Sequence, residues 1–119
     1  VGNEQESSNQ PNRRKFSRIN RSYIISYTPV NVGELKYDMS QTKDLGEGGL
    51  SFIADKGFEK GTILKIKLRL PEFLDYVIVQ AKVVDSKQRA KGIIYETRAS
   101  FIDVEQKITD SIKRLVNYE

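Results

Sequence analysis

From Leu64 to Leu70 the chain alternates apolar and cationic residues without a break: Leu64, Ile66, Leu68 and Leu70 against Lys65, Lys67 and Arg69. Side chains of an extended strand point to opposite faces in turn, so this segment places four apolar groups inward and three cations outward. Pro71 ends it. The same period of two recurs along the chain. Tyr23, Ile25 and Tyr27 alternate with Ser22, Ile24 and Ser26, and Leu35, Tyr37 and Met39 alternate with Lys36 and Asp38. Leu50 to Ala54 reads as a short strand, and Tyr76 to Val84 as a β-branched run apolar on both faces at its start. Ile93 to Ile102 reads as a further long strand, preceded by a polar turn from Asp85 to Gly92. Strands at this spacing, separated by Gly, Pro and Asp turns, predict an antiparallel barrel or sandwich.

The tail changes period. Val104, Ile108, Ile112, Leu115 and Val116 fall on one face of a helix predicted over 104–117. Asp103 is placed as its N-cap, with Gln106 three residues on in a variant of the capping box. Lys113 and Arg114 in the last turns complement the helix dipole. An apolar stripe of this kind needs a partner surface, and the end of a barrel would serve.

A length of 119 residues fits one domain, and 38% hydrophobic with 30% charged residues suits a globular protein. No apolar run approaches the length of a membrane span, so no direct membrane insertion is expected. The chain starts Val1-Gly2, which reads as a piece of something longer, and no charged-then-apolar signal precedes the fold. There is no cysteine and no histidine. Disulfides, a thiol nucleophile, thiolate metal sites and the commonest general base are therefore excluded, and a non-enzymatic role is expected. Residues 1–12 hold much Ser, Asn and Gln with one apolar residue and read as a disordered linker.

The net charge of +4 is local. Arg13, Arg14, Lys15, Arg18 and Arg21 have no acid among them; without those five, 15 basic residues face 16 acidic ones. A nucleic-acid binder spreads its charge over a face to track many phosphates, whereas a compact patch suits one or two. Arginine is the side chain for such a ligand. Its fork pairs with phosphate or with the O6/N7 edge of guanine, and its face stacks on bases. Arg14 and Arg18, with Arg13 alongside, have the right chemistry, although composition alone favours a solvated basic stretch at a domain edge. Some thirty residues later comes Asp44-Leu45-Gly46-Glu47-Gly48-Gly49-Leu50. Asp44 can accept from guanine N1 and N2, and Gly46, Gly48 and Gly49 let backbone N–H groups approach a phosphate. The same residues also describe an ordinary strand connection in which Asp starts the turn and glycines take positive φ. The loop lacks the Lys-Ser/Thr ending of a triphosphate cradle. The other acids form no catalytic pair.

These two segments together resemble the PilZ domain, the bacterial receptor module for cyclic di-GMP. Arg14-Lys15-Phe16-Ser17-Arg18 matches its Arg-x-x-x-Arg signature, with Arg13 matching the arginine that often precedes it. Asp44-Leu45-Gly46-Glu47-Gly48-Gly49 matches Asp/Asn-x-Ser-x-x-Gly, followed by the typical apolar Leu50 and Phe52. The similarity runs from residue 13 to about 117. It implies an all-β fold with a C-terminal helix, a six-stranded antiparallel PilZ-type β-barrel over 19–103 within a domain of 13–119, with 13–18 as the arginine motif.

The resemblance also implies a cytoplasmic bacterial receptor with no cofactor beyond the ligand cyclic di-GMP. Its ligand site would comprise Arg13, Arg14, Arg18, Asp44, Gly46, Gly48 and Gly49, with no catalytic and no metal residues. A protein partner or adjoining domain would take the output, with no nucleic acid involved. One position departs from the signature: Gly46 stands where the family has serine. Losing one hydrogen bond to a charged ligand costs about 1.5–3 kcal/mol unless a backbone N–H or a water replaces it. That departure supports a rival reading, a PilZ-like adaptor for proteins with little nucleotide affinity. A small nucleic-acid-binding barrel is the other rival; against it, only Phe16 and Tyr23 stand near the basic patch to stack on bases.

Overall fold

The computed structural model describes residues 21–31, 36–90 and 94–117. Within them lie six strands and a helix: β1 (Ile24–Pro29), β2 (Asp38–Leu45), β3 (Gly49–Ala54), β4 (Ile63–Leu68), β5 (Val77–Ala90), β6 (Ile94–Ile102) and α1 (Gln106–Asn117). The strands close into a barrel in the order β1-β2-β3-β6-β5-β4, and β4 returns to β1 through Ile25↔Leu68 and Tyr27↔Ile66. All neighbouring pairs are antiparallel. The six-stranded antiparallel barrel with a C-terminal helix expected from the sequence is the observed fold.

Alternation builds the interior. Leu64, Ile66 and Leu68 on β4, and Ile25 and Tyr27 on β1, are buried, while Ile24 stays 54% exposed on the outer face. The Tyr27 ring lies 4.6 Å from that of Phe52 and meets Phe58 edge-on at 6.0 Å. Burial, aided by Asp38 and Asp55, pushes the Tyr27 phenol up to about 12, so it stays neutral in the core. Ile108, Ile112 and Val116 of α1 join the same core, and Arg114 anchors the helix by a two-pronged contact with Glu72 on the β4–β5 connection, at 2.6 and 2.8 Å.

Four expectations change. The strand read around Leu35, Tyr37 and Met39 lies further on. Met39 is 72% exposed, Leu35 is outside the described residues, and β2 instead buries Thr42 and Leu45. The segment from Asp85 to Ala90, expected as a turn, continues β5 as a polar ribbon paired with β6 through Ser86↔Thr97, Lys87↔Glu96 and Gln88↔Tyr95. Cross-strand pairing, not burial, keeps it extended. Asp103 is not the N-cap; it sits at φ 45 in a left-handed bend, the helix starts at Gln106, and the N–H groups of Ile108 and Thr109 in its first turn donate to the Glu105 carbonyl. Gln106 turns away from the cap, its Nε2 donating to Asp110 Oδ1 at 2.9 Å.

The strands also carry extra residues. In β2, Thr42 faces Phe52 and Asp44 faces Ser51, so Lys43 is an inserted bulge. In β5, Val83 faces Ala99 and Asp85 faces Arg98, making Val84 the extra residue; Arg89 is another, between Gln88 and Ala90. Lys43, from β2 across the intervening β3, and Arg89, from the adjacent β5, reach one atom, Glu96 Oε1 on β6, at 3.1 and 3.0 Å. Partial burial opposes ionisation of Glu96, but these two cations outweigh it and hold its carboxyl below the usual range.

Two outcomes follow. Ile66→Ala, in the middle of β4 and fully enclosed, should cost about 2–5 kcal/mol in urea unfolding. Because the unfolded chain takes up the Glu96 proton near 4.5 and the folded one lower, the Glu96 contribution is present above that pH and lost as pH falls through the folded value. Glu96→Gln should therefore flatten the acid limb of a stability–pH curve below about pH 5. An unchanged limb would mean the two cations do not hold this carboxylate in solution.

Candidate functional site

The bulge at Lys43 decides where the acid of the second motif points. Thr42 and Leu45 are both buried, at 1% exposure each. Strict alternation from Thr42 would send Asp44 inward and Leu45 outward; one inserted residue lets both Thr42 and Leu45 face the core while Asp44 stays on the outer wall. The Val84 bulge does the same on β5, with Val83 inward and Asp85 outward. The result is a continuous row across four adjacent strands, Asp44↔Ser51↔Arg98↔Asp85. The row beneath it, Leu45↔Leu50↔Ala99↔Val83, is wholly apolar and buried.

Within the polar row Ser51 Oγ donates to Asp44 Oδ2 at 3.1 Å, which fixes the carboxylate. Arg98 Nη2 lies 3.4 Å from Asp85 Oδ2. Asp44, Ser51 and Arg98 line a cavity of 770 Å³, together with the loop Gly46–Gly49, Val84 and the end of α1 at Val116 and Asn117. Of the residues expected at the site, Asp44, Gly46, Gly48 and Gly49 are thus brought together on one wall. Arg13, Arg14 and Arg18 lie outside the described residues.

The loop differs in two ways from the sequence expectation. Asp44 does not start the turn; it is a residue of β2, and the connection is Gly46-Glu47-Gly48. Nor do the glycines there take positive φ; among the described residues the left-handed glycine is Gly61, at φ 94. Gly46 N–H is spent on closing the hairpin, donating to Gly49 O at 3.0 Å, and Gly48 O accepts from Phe101 N at 2.9 Å. The Gly46 amide is therefore not available to a phosphate.

Their reasons for being glycine diverge. A Cβ on Gly49 would stand 2.1 Å from the Ala99 carbonyl oxygen, whereas one on Gly46 or Gly48 would meet nothing within 4 Å. Gly49 is required by the close approach of β3 to β6. At Gly46 and Gly48 the fold imposes no such demand, and bare backbone faces the cavity.

Ser51, Val84, Arg98 and Asn117 were missed by sequence reasoning. Arg98 carries an outward parity in β6 that alternation does reveal. Its place in the row with Asp44, however, depends on a register that the Lys43 bulge sets, and no local pattern marks that bulge.

The family model for the PilZ domain matches residues 12–118. The chain belongs to the PilZ domain family. Solved structures share the fold. Inhibitor of motility (MotI/DgrA) from Bacillus subtilis superposes with a TM-score of 0.70 at 15% identity, covering 91% of this chain and 51% of that one. The PilZ domain of YcgR from Escherichia coli, solved with c-di-GMP, gives 0.63 at 14% identity over 90% and 91%. The MrkH–c-di-GMP complex from K. pneumonia gives 0.59 at 15% identity over 90% and 52%. This PilZ chain spans about half the length of MotI/DgrA and of MrkH. No curated protein sequence matches it. Among the described residues of the PilZ fold no helix is long and apolar enough to cross a membrane, and no cluster of acids forms a metal site.

The two glycines give a direct contrast. Gly46→Ala should change unfolding free energy by less than about 1 kcal/mol, since its Cβ enters open space at an ordinary φ. Gly49→Ala must displace β6 backbone and should cost several times more, read side by side in chemical denaturation. Equal costs would mean that the β3–β6 approach is not what holds Gly49.

Proposed function

We propose that this domain is a non-catalytic receptor for cyclic di-GMP. The observation that carries the reading is the wall at the mouth of the 770 Å³ cavity, where an oriented carboxylate stands beside a loop free of side chains at two positions. The family match spans residues 12–118 and so includes the arginine segment. YcgR and MrkH, which share the fold, were solved with this nucleotide bound.

Each group has a role that its chemistry suits. Asp44, held by the Ser51 hydroxyl, accepts from guanine N1 and N2, a pattern adenine does not offer. Arg14 and Arg18, assisted by Arg13, pair with phosphates and guanine edges. Gly46 and Gly48 let the ligand approach the main chain. The dianionic ligand neutralises the self-repelling arginine segment and gathers it over the cavity. That change is passed to an adjoining domain or partner protein, and the reading carries a bacterial cytoplasmic location with it. Gly46 lowers affinity relative to a serine there, because its own N–H is committed to Gly49 and cannot replace the missing hydroxyl.

Isothermal titration with cyclic di-GMP, against GTP and cyclic di-AMP, is the test. Selective binding is expected, abolished by Arg14→Ala or Arg18→Ala with the free protein's Tm unchanged within a few degrees. Gly46→Ser, whose side chain has open space to enter, should tighten binding by about one to two orders of magnitude. A wild type that is silent at high concentration would sink the receptor reading and return the adaptor reading.

A further inference from the structure

Among the described residues lining the cavity Arg98 is the one cation, and the acids there are Asp44 and Glu47. A dianion placed against two carboxylates is repelled unless a positive group on the same wall offsets them. Among the described residues of that wall, Arg98 can contribute such an offset. It stands two strands across from Asp44 in the polar row, about 10 Å away at about 4.8 Å per strand. A guanine held by its Watson–Crick edge at one point would extend its ribose and phosphate toward the other.

The resting state of Arg98 suits an exchange of partners. Its Nη2 lies 3.4 Å from Asp85 Oδ2, and the two side chains are 57% and 30% exposed. At that distance and exposure the ion pair is loose. It keeps the guanidinium over the cavity without locking it. A phosphate offers two oxygens to the fork at hydrogen-bonding distance, a better match than the 3.4 Å approach to Asp85. The bulge at Val84 is what keeps Asp85 on the outer face beside it.

We propose that Arg98 is a ligand-contacting residue of this site: its guanidinium leaves Asp85 and takes a phosphate of the cyclic dinucleotide whose guanine Asp44 reads. This rests on the receptor reading above. It makes Asp85 an internal competitor, a carboxylate that sets the affinity by holding the arginine when no ligand is present.

Titration calorimetry with cyclic di-GMP on the full chain tests it, using wild type, Arg98→Ala, Arg98→Lys, Asp85→Asn and the Arg98→Ala/Asp85→Asn double variant. Arg98→Ala should raise Kd about ten- to a hundredfold while leaving the free protein's Tm within a few degrees. Arg98→Lys should recover only part of the loss, since a point charge lacks the fork. Asp85→Asn should tighten binding severalfold, and this gain should vanish in the Arg98→Ala background. If wild type binds and Arg98→Ala binds equally well, the role given to Arg98 is wrong and the receptor reading stands. If Arg98→Ala and Asp85→Asn both weaken binding and lower Tm together, the pair serves β5–β6 pairing and the proposal falls. A wild type that gives no heat overturns both readings.

Discussion

The parity of side chains along a strand is the constraint on which this structure turns. In a closed barrel every residue of a strand faces either a packed interior or the outer wall, and the period of two leaves no third option. The second motif breaks that rule, because Asp44 must stay outside while its immediate neighbour Leu45 and the earlier Thr42 both go inside. A single inserted residue, Lys43, resolves the conflict. The same device at Val84 keeps Asp85 outside beyond the buried Val83. The polar row from Asp44 to Asp85 exists because the strands on either side of the β3–β6 pair carry inserted residues at Lys43 and Val84.

The bulges are also held in place. Lys43 and Arg89, both extra residues, reach Glu96 from the two strands that flank the β3–β6 pair. Glu96 is only 12% exposed, whereas both cations are more than half exposed. The carboxylate is therefore the buried partner whose desolvation must be offset, and two hydrogen-bonded cations do so where one exposed pair would contribute little. The scaffold of the candidate site is thus fastened from outside by charge and from inside by the apolar row Leu45, Leu50, Ala99 and Val83.

What the sequence disclosed divides along the same line. Strands whose identity rests on burial were legible: β4 shows its alternation in seven consecutive letters, and Ile108, Ile112 and Val116 mark the helix face that enters the core. Strands held by pairing alone were not. β2 buries little beyond Thr42 and Leu45, and the far half of β5 has the composition of a turn, so neither offers a periodic apolar signal. The motif acid Asp44 and the glycines beside it were singled out from their types as candidates, while Ser51 and Arg98, which line the same cavity, were not. Their membership depends on which residues lie opposite one another, and a bulge changes that by one place without changing the local composition.

The glycines show why composition points to a site without explaining it. Three of them fall within four residues, and a turn demanding positive φ would account for such a cluster; the backbone here makes no such demand. Gly49 answers to the scaffold, since any side chain would strike the Ala99 carbonyl. Gly46 and Gly48 answer to neither dihedral nor packing, and the chain accepts the entropic cost of two residues that lose the most freedom on folding. Both are tied down nonetheless, Gly46 through its N–H to Gly49 and Gly48 through its carbonyl to Phe101. A loop that is pinned by its backbone yet bare of side chains is costly as a mere connection. It becomes economical when the surface it leaves open, between Asp44 and Arg98, is where a ligand has to lie.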